Sequence, residues 1–341
     1  MKQAVMVKPG EIIYQDVPIP EIKPDQIEVK MKRIGVCGSD IHVWYGKHPY
    51  TSYPVVQGHE VSAVVTRVGS EVTDFVPGDL VTIQPQVVCG HCYPCTHGLY
   101  NDCESLKVMG FQTTGMASEY FVTEAAKALK LPETMSYDHG AMIEPLAVAV
   151  HAVRRIPGGV SGKRVCVIGG GPIGNLTAQA AKAMGARAVL LSEISAYRLE
   201  AAARCGISAM NPKEISLKDG ILQAFGADGA DVIIECIGSS RTIKEAVDIA
   251  RKGSDILVVG VVPDLCAIDM GFVQDHELRI SGSAMYRVED YREAIRLVGD
   301  GLIEFDALIT HHVPFSDYAS AYTLIEQAKD KAMKVIIDME A

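Results

Sequence analysis

Arg164-Val165-Cys166-Val167-Ile168-Gly169-Gly170-Gly171-Pro172-Ile173-Gly174 decides the fold. The apolar run reads as a strand, the glycines as a turn, and residues 175 to 184 as a helix stopped by Gly185. A G-x-G-x-x-G match is weak alone. Between a strand and a helix it has the context of a dinucleotide site. Gly169, Gly171 and Gly174 allow a tight turn and close approach to a pyrophosphate, which sits with Pro172 and Ile173 at the helix N-terminus. Glu193 ends the next strand, about 20 residues on, where a carboxylate accepts hydrogen bonds from the adenosine ribose and repels a 2′-phosphate. NAD is therefore expected rather than NADP. Arg198, one turn into the next helix, either flanks the adenine or is a solvated helix charge.

Working outward, residues 163 to about 281 alternate strand and helix. The runs 188–192, 232–236, 256–259 and 278–281 are apolar without alternation, as in strands buried on both faces, which predicts a parallel doubly wound sheet. Upstream, residues 1 to about 90 read as short strands broken by Pro and Gly, a β-rich domain expected to form a small barrel. Ile143, Leu146, Ala147, Val150 and Val153 fall at helical spacing and mark a linking helix. The expected fold class is α/β: a β-rich domain over 1–150, a dinucleotide domain over 151–290, and a last segment over 291–341.

At 341 residues the chain can form two domains and a sizeable core. It is 48% apolar and 22% charged, with a net charge of −10 and no Lys/Arg cluster, so no nucleic-acid or anionic-membrane surface is expected. The N-terminus lacks the apolar core of a signal peptide, no run approaches a membrane span, and a cytosolic location is expected. There are nine cysteines. In a reducing compartment, closely spaced ones suit metal binding better than disulfides. Cys166, Cys205, Cys236 and Cys266 read as small core residues.

Cys89, Cys92, Cys95 and Cys103 carry the spacing C-x2-C-x2-C-x7-C. Four such thiolates close a tetrahedral shell around one zinc, a site that fixes a loop and does no chemistry. A ferredoxin-type run brings its fourth Cys sooner and follows it with Pro. Two further stretches, Cys37-Gly38-Ser39-Asp40-Ile41-His42 and Gly58-His59-Glu60-Val61, offer a thiolate, an imidazole and a carboxylate for a second zinc. Ser39 and His42 are the types that carry a proton. Alone, these residues suit equally a buried Cys and two incidental His.

Together and in this order, the motifs resemble the zinc-dependent medium-chain dehydrogenase/reductase family over essentially the full length. The stretch Ile143-Glu144-Pro145-Leu146-Ala147-Val148-Ala149-Val150-His151 is similar to its sorbitol (polyol) dehydrogenase branch. The resemblance implies that 1–150 is a GroES-like, zinc-binding catalytic domain, that 151–290 is a Rossmann domain and that 291–341 returns to the catalytic domain, with one catalytic zinc, one structural zinc and NAD per subunit. It implies a catalytic zinc held by Cys37, His59 and either Glu60 or Glu144, open to a small polar alcohol, with Ser39 and His42 relaying the proton. A homotetramer or homodimer is implied too. The expected reaction moves a hydride from a secondary alcohol of a polyol or sugar acid to NAD⁺.

The chain also departs from that branch. Loop 110–115 lacks its prolines, and Met285-Tyr286-Arg287 stands where an Arg-Tyr pair is expected, so a substrate other than sorbitol is favoured. Trp44, Tyr45, Lys47 and Phe111 are candidate pocket residues, and Lys47 or Arg287 would pair with an anionic substrate. Two alternatives stay open here: oxidation of a hydroxy amino acid in the manner of threonine dehydrogenase, and a non-catalytic zinc- and NAD-binding protein.

Overall fold

The computed structural model describes residues 1–341, which divide into two compact units. Pro145–Leu308 is a six-stranded sheet, all parallel, in the order Ser208–Met210, Ala188–Ser192, Arg164–Ile168, Val232–Glu235, Asp255–Val258, Arg279–Gly282. The chain extends the sheet one way from Arg164–Ile168, then crosses back to its other flank. That reversal opens a crevice at the carboxyl ends of the two central strands. The runs without alternation are central because both of their faces are covered: Val232–Glu235 is buried throughout. The last strand, Arg279–Gly282, is a largely exposed edge.

Serines 195, 216 and 239 cap three helices of this unit, each accepting a backbone N–H of the first turn. Helix Pro172–Ala183 differs. Its N-cap is Gly171, and no side chain caps it.

Asp290, fully buried, accepts from His151 Nδ1 at 2.8 Å, Arg154 at 3.1 Å and the Arg287 N–H at 2.8 Å. This network ties the helices Ile143–Arg154 and Val288–Gly299 together. Contacts accordingly divide the chain at Glu144/Pro145 and Leu308/Ile309, not at the expected 150 and 290.

The other unit, Met1–Glu144 with Ile309–Ala341, is built on the long strand Gln26–Gly35. One flank pairs with Glu60–Val68. The other pairs with Tyr120–Glu124 along its first half and with Lys334–Asp338 at its end. The six-strand path from Ile309–Pro314 to Ala128–Lys130, with Tyr120–Glu124 beside it as a seventh strand, is open, so the expected barrel has no closed ladder. Two strands share one flank of the long strand instead. Ile27, Val29, Met31, Ile34, Val61 and Val81 fill the core beneath it. Gly35 lies opposite Glu60 on one side and Ile336 on the other, which brings the chain's last strand to the zinc motif. No helix is long and apolar enough to cross a membrane.

Replacing Asp290 by Ala should lower unfolding stability by about 2–3 kcal/mol, because the buried His151 and Arg287 N–H groups lose their acceptor. Urea denaturation measures it. A change under about 0.5 kcal/mol, the scale of neutral surface substitutions, would remove the network from the forces holding these helices.

Candidate active site

The Cys37 thiol, a nitrogen of His59 and a carboxylate oxygen of Glu60 lie within 4.8 Å of one another. Cys37 precedes helix Gly38–Trp44, where its N–H is held by Asp40 Oδ2 at 2.9 Å. Gly58, at φ +93°, turns the chain into His59 in a conformation that favours glycine. His59 Nδ1 is buried with no hydrogen-bond partner and stands 3.7 Å from Asp40 Oδ1, which leaves Nε2 for a ligand.

Glu60 begins its strand and folds back over Gly35, where an added Cβ would come 2.2 Å from Oε2. That oxygen accepts from Lys334 Nζ at 2.5 Å, and Lys334 also donates to the Val36 carbonyl at 3.3 Å. Glu144 is buried but lies outside the 4.8 Å group. Its charge still reaches both His59 and Lys334.

The electrostatics have one theme. Burial alone would lower the pKa of His59. Asp40, Cys37 and Glu144 outweigh it and drive the value well above the ordinary one. Lys334 behaves likewise, with Glu60, Cys37 and Glu144 overcoming its burial. Asp40 is pushed up by burial, against the pull of His59 and the Cys37 N–H. Three buried acids and a thiol thus face one lysine. A divalent cation fits that deficit, and a soft-plus-hard donor set of S, N and O suits zinc.

On the same helix, Ser39 is half-buried and His42, three residues on and on the same face, is exposed. Phe111 is buried, its ring 4.9 Å from His59 and stacked on His48 at 4.7 Å. His48 has a pKa lowered by burial and by His42 and His59, and its Nδ1 pairs with Thr51 Oγ1 at 2.7 Å. Of the other pocket candidates, the half-buried Trp44 stacks flat on Tyr322, Lys47 lies over the exposed Tyr45 ring, and Arg287 is the N-cap of helix Val288–Gly299.

The four-cysteine lobe converges as its spacing predicts: the thiols of Cys89, Cys92, Cys95 and Cys103 lie within 4.8 Å. Cys89–Cys95 is 4.0 Å and Cys92–Cys103 is 3.9 Å. A zinc tetrahedron with 2.3 Å arms has edges of about 3.8 Å, whereas a disulfide needs about 2 Å. Backbone N–H groups of His91 and Cys92 pull the Cys89 thiol down to about 6, and desolvation pushes Cys95 up to about 12.

In the Pro145–Leu308 unit the glycine turn sits at the crevice. Gly169 has φ +100°, and a Cβ on Gly174 would meet the Gly169 carbonyl at 1.8 Å. Gly171 needs no special conformation, and a Cβ there would come 3.8 Å from Arg198 Nη1. Together with Pro172 and Ile173 it leaves the first-turn N–H groups uncapped, which fits a phosphate. Glu193 accepts from Gly170 N at 2.8 Å, Ile194 N at 2.7 Å and Ser195 N at 2.9 Å. It lines a cavity of about 180 Å³ with Gly169, Ser192, Lys213 and Arg241. Arg198, partly exposed, places Nη1 3.8 Å from Glu193 Oε2.

Asp40, Lys334, Gln57 and Tyr322 were not singled out by sequence. Asp40 alone had a local signal, lying three residues after Cys37.

The family model for an alcohol dehydrogenase GroES-like domain matches residues 23–133, and that for a zinc-binding dehydrogenase matches 172–300. The chain is 34% identical over 323 residues to 2-dehydro-3-deoxy-L-galactonate 5-dehydrogenase of Pseudoalteromonas atlantica, covering 94% of each. It is 34% identical over 349 residues to sorbitol dehydrogenase 1 of Saccharomyces cerevisiae, covering 98% of this chain and 96% of that one. An Escherichia coli alcohol dehydrogenase solved with NADH superposes with a TM-score of 0.90 at 31% identity, covering 99% of each chain.

Replacing Glu193 by Ala should weaken NADH binding about tenfold, the scale of hydrogen bonds to a charged group, and narrow any preference over NADPH. Fluorescence titration with both cofactors reads this. An unchanged NADH/NADPH ratio would remove the discriminating role of this carboxylate.

Proposed function

The chain belongs to the zinc-binding dehydrogenase family, with an alcohol dehydrogenase GroES-like domain ahead of the zinc-binding dehydrogenase domain, and on that premise we propose its reaction. It is an NAD-dependent zinc dehydrogenase of small polar alcohols, oxidising a secondary alcohol of a polyol or sugar acid to the ketone. The relatives it matches are a galactonate-type and a sorbitol dehydrogenase, which does not favour a hydroxy amino acid or a non-catalytic role. The observation that carries the reading is the cluster of half-buried Cys37 with buried His59 and Glu60, with more acid around it than Lys334 can neutralise.

Cys37 Sγ, His59 Nε2 and Glu60 would hold the catalytic zinc, and Glu144, whose charge reaches His59 and Lys334, would exchange with Glu60. The four-cysteine lobe would hold the structural one. Zinc, when bound, supplies a Lewis acid that lowers the pKa of the substrate hydroxyl. NAD supplies the hydride acceptor. Ser39 takes the released proton and His42, exposed on the same helical face, returns it to solvent. Asp40 Oδ1 faces His59 Nδ1 at 3.7 Å, and Lys334 offsets the carboxylate of Glu60. Gly169, Gly171 and Gly174, with the first turn at Pro172 and Ile173, would receive the pyrophosphate; Glu193, with Arg198 beside it, would receive the ribose.

We infer a homo-oligomer as well. The exposed edge strand Arg279–Gly282, with Val261, Leu265 and Met270 exposed in the segments before it, offers strand pairing between copies. Nine free cysteines support a cytosolic location.

Metal analysis should find two zinc ions per 36.7 kDa chain. Cys37→Ser should keep one, lose turnover, and still bind NADH. A panel of polyols, aldonates and threonine with NAD⁺, read at the NADH absorbance, then fixes the substrate; turnover of threonine alone would reject the polyol and sugar-acid reading. In light scattering the mass should be a multiple of 36.7 kDa, and a monomer at working concentration would reject the edge-strand pairing.

A further inference from the structure

Behind the zinc-binding histidine lies a buried polar chain that the reaction as derived does not use. Tyr322, on helix Ser320–Ala328, donates its hydroxyl to Gln57 Oε1 at 2.5 Å. Gln57 Nε2 donates to Asp40 Oδ1 at 3.1 Å and to the Asp40 carbonyl at 3.3 Å. Asp40 Oδ1 is the oxygen facing His59 Nδ1, and Asp40 Oδ2 holds the Cys37 N–H. Tyr322 is 1% exposed, Gln57 3%, Asp40 0% and His59 4%, so no member can exchange its partner for water without opening the core.

The chain has a direction. An amide placed between a hydroxyl and a carboxylate is satisfied best with its NH₂ toward the carboxylate and its oxygen toward the O–H. Tyr322 is itself fixed: its ring stacks on Trp44 at 4.6 Å and 4°. Burial raises its pKa well above the ordinary value, so the hydroxyl keeps its proton. A rigid donor at one end therefore sets the amide, and the amide sets the carboxylate that faces both Cys37 and His59.

We propose that Tyr322 is a positioning residue for the catalytic metal, acting through Gln57 and Asp40 on the metal-binding segments of Cys37 and His59. The inference rests on the zinc reading of this cluster. Partners behind metal ligands typically carry 10- to 100-fold in metal affinity. Tyr322 stands three side chains from the metal position, so the low end, about tenfold, is expected.

The test is Tyr322→Phe, which keeps the ring and its stack and removes only the hydroxyl. Zinc retention is measured by competition with a chelator, and the Co²⁺-substituted protein is compared by visible absorption. The expected result is about tenfold weaker binding of the one metal that Cys37→Ser removes, a shifted Co²⁺ spectrum, and an unchanged affinity at the four-cysteine lobe. In a Gln57→Met background the same substitution should have no further effect on metal affinity. A merely structural role would lower thermal stability and leave the metal dissociation constant within twofold of wild type. That outcome, or full additivity with Gln57→Met, overturns the proposal. If wild-type protein holds no metal that Cys37→Ser removes, the zinc reading itself fails and takes this inference with it.

Discussion

Buried negative charge needs a cation. Moving a carboxylate out of water costs several kcal/mol even after the protein relaxes, and the cost falls only when an opposite charge is close. Asp40, Glu60 and Glu144 crowd one dry region of the first unit beside the half-buried Cys37, and its buried lysine, Lys334, is already paired with Glu60. The rest of the site follows from this imbalance. His59 is drawn toward its protonated form by the surrounding acids, which marks a place where a dication would serve better than a proton.

The same constraint explains why the unit is assembled from both ends of the chain. Glu60 and Lys334 are 274 residues apart, and Gln57 and Tyr322 are 265 apart. Their meeting depends on Gly35, which has a zinc-motif residue on one flank and the final strand on the other. With a larger residue at Gly35 the Glu60 carboxylate would lose the space it occupies. The nucleotide unit solves its own problem locally. Glu193 at the end of one strand and Glu235 at the end of its neighbour's neighbour each accept backbone N–H groups of the turns beside them, and so fix the crevice loops.

Local motifs were legible because their geometry is set within a few residues. The cysteine lobe closes within fifteen positions of chain, Cys89 to Cys103, and its thiols come to zinc-tetrahedron spacing. The glycine turn needs only a strand before it and a helix after it, and Gly169 and Gly174 are required there by a positive φ and a close approach. Trp44 packs on Tyr322, and nothing near Trp44 in sequence names that partner. The domain limits shifted for a similar reason, since the His151–Asp290 contact joins helices 139 residues apart.

The sequence by itself determined the α/β class, the parallel sheet, the four-cysteine spacing, the short motifs that carry Cys37 and His59–Glu60, and the glycine turn. Each rests on residue types at short spacing, where chain stiffness limits what the backbone can do. Only the tertiary structure decided which polar groups stand behind those donors: Lys334 on Glu60, and Tyr322 through Gln57 on Asp40. Those pairings come from strand register and helix packing across the whole unit. Burial then fixes them, because a polar group removed from water must keep the one partner the fold has brought to it.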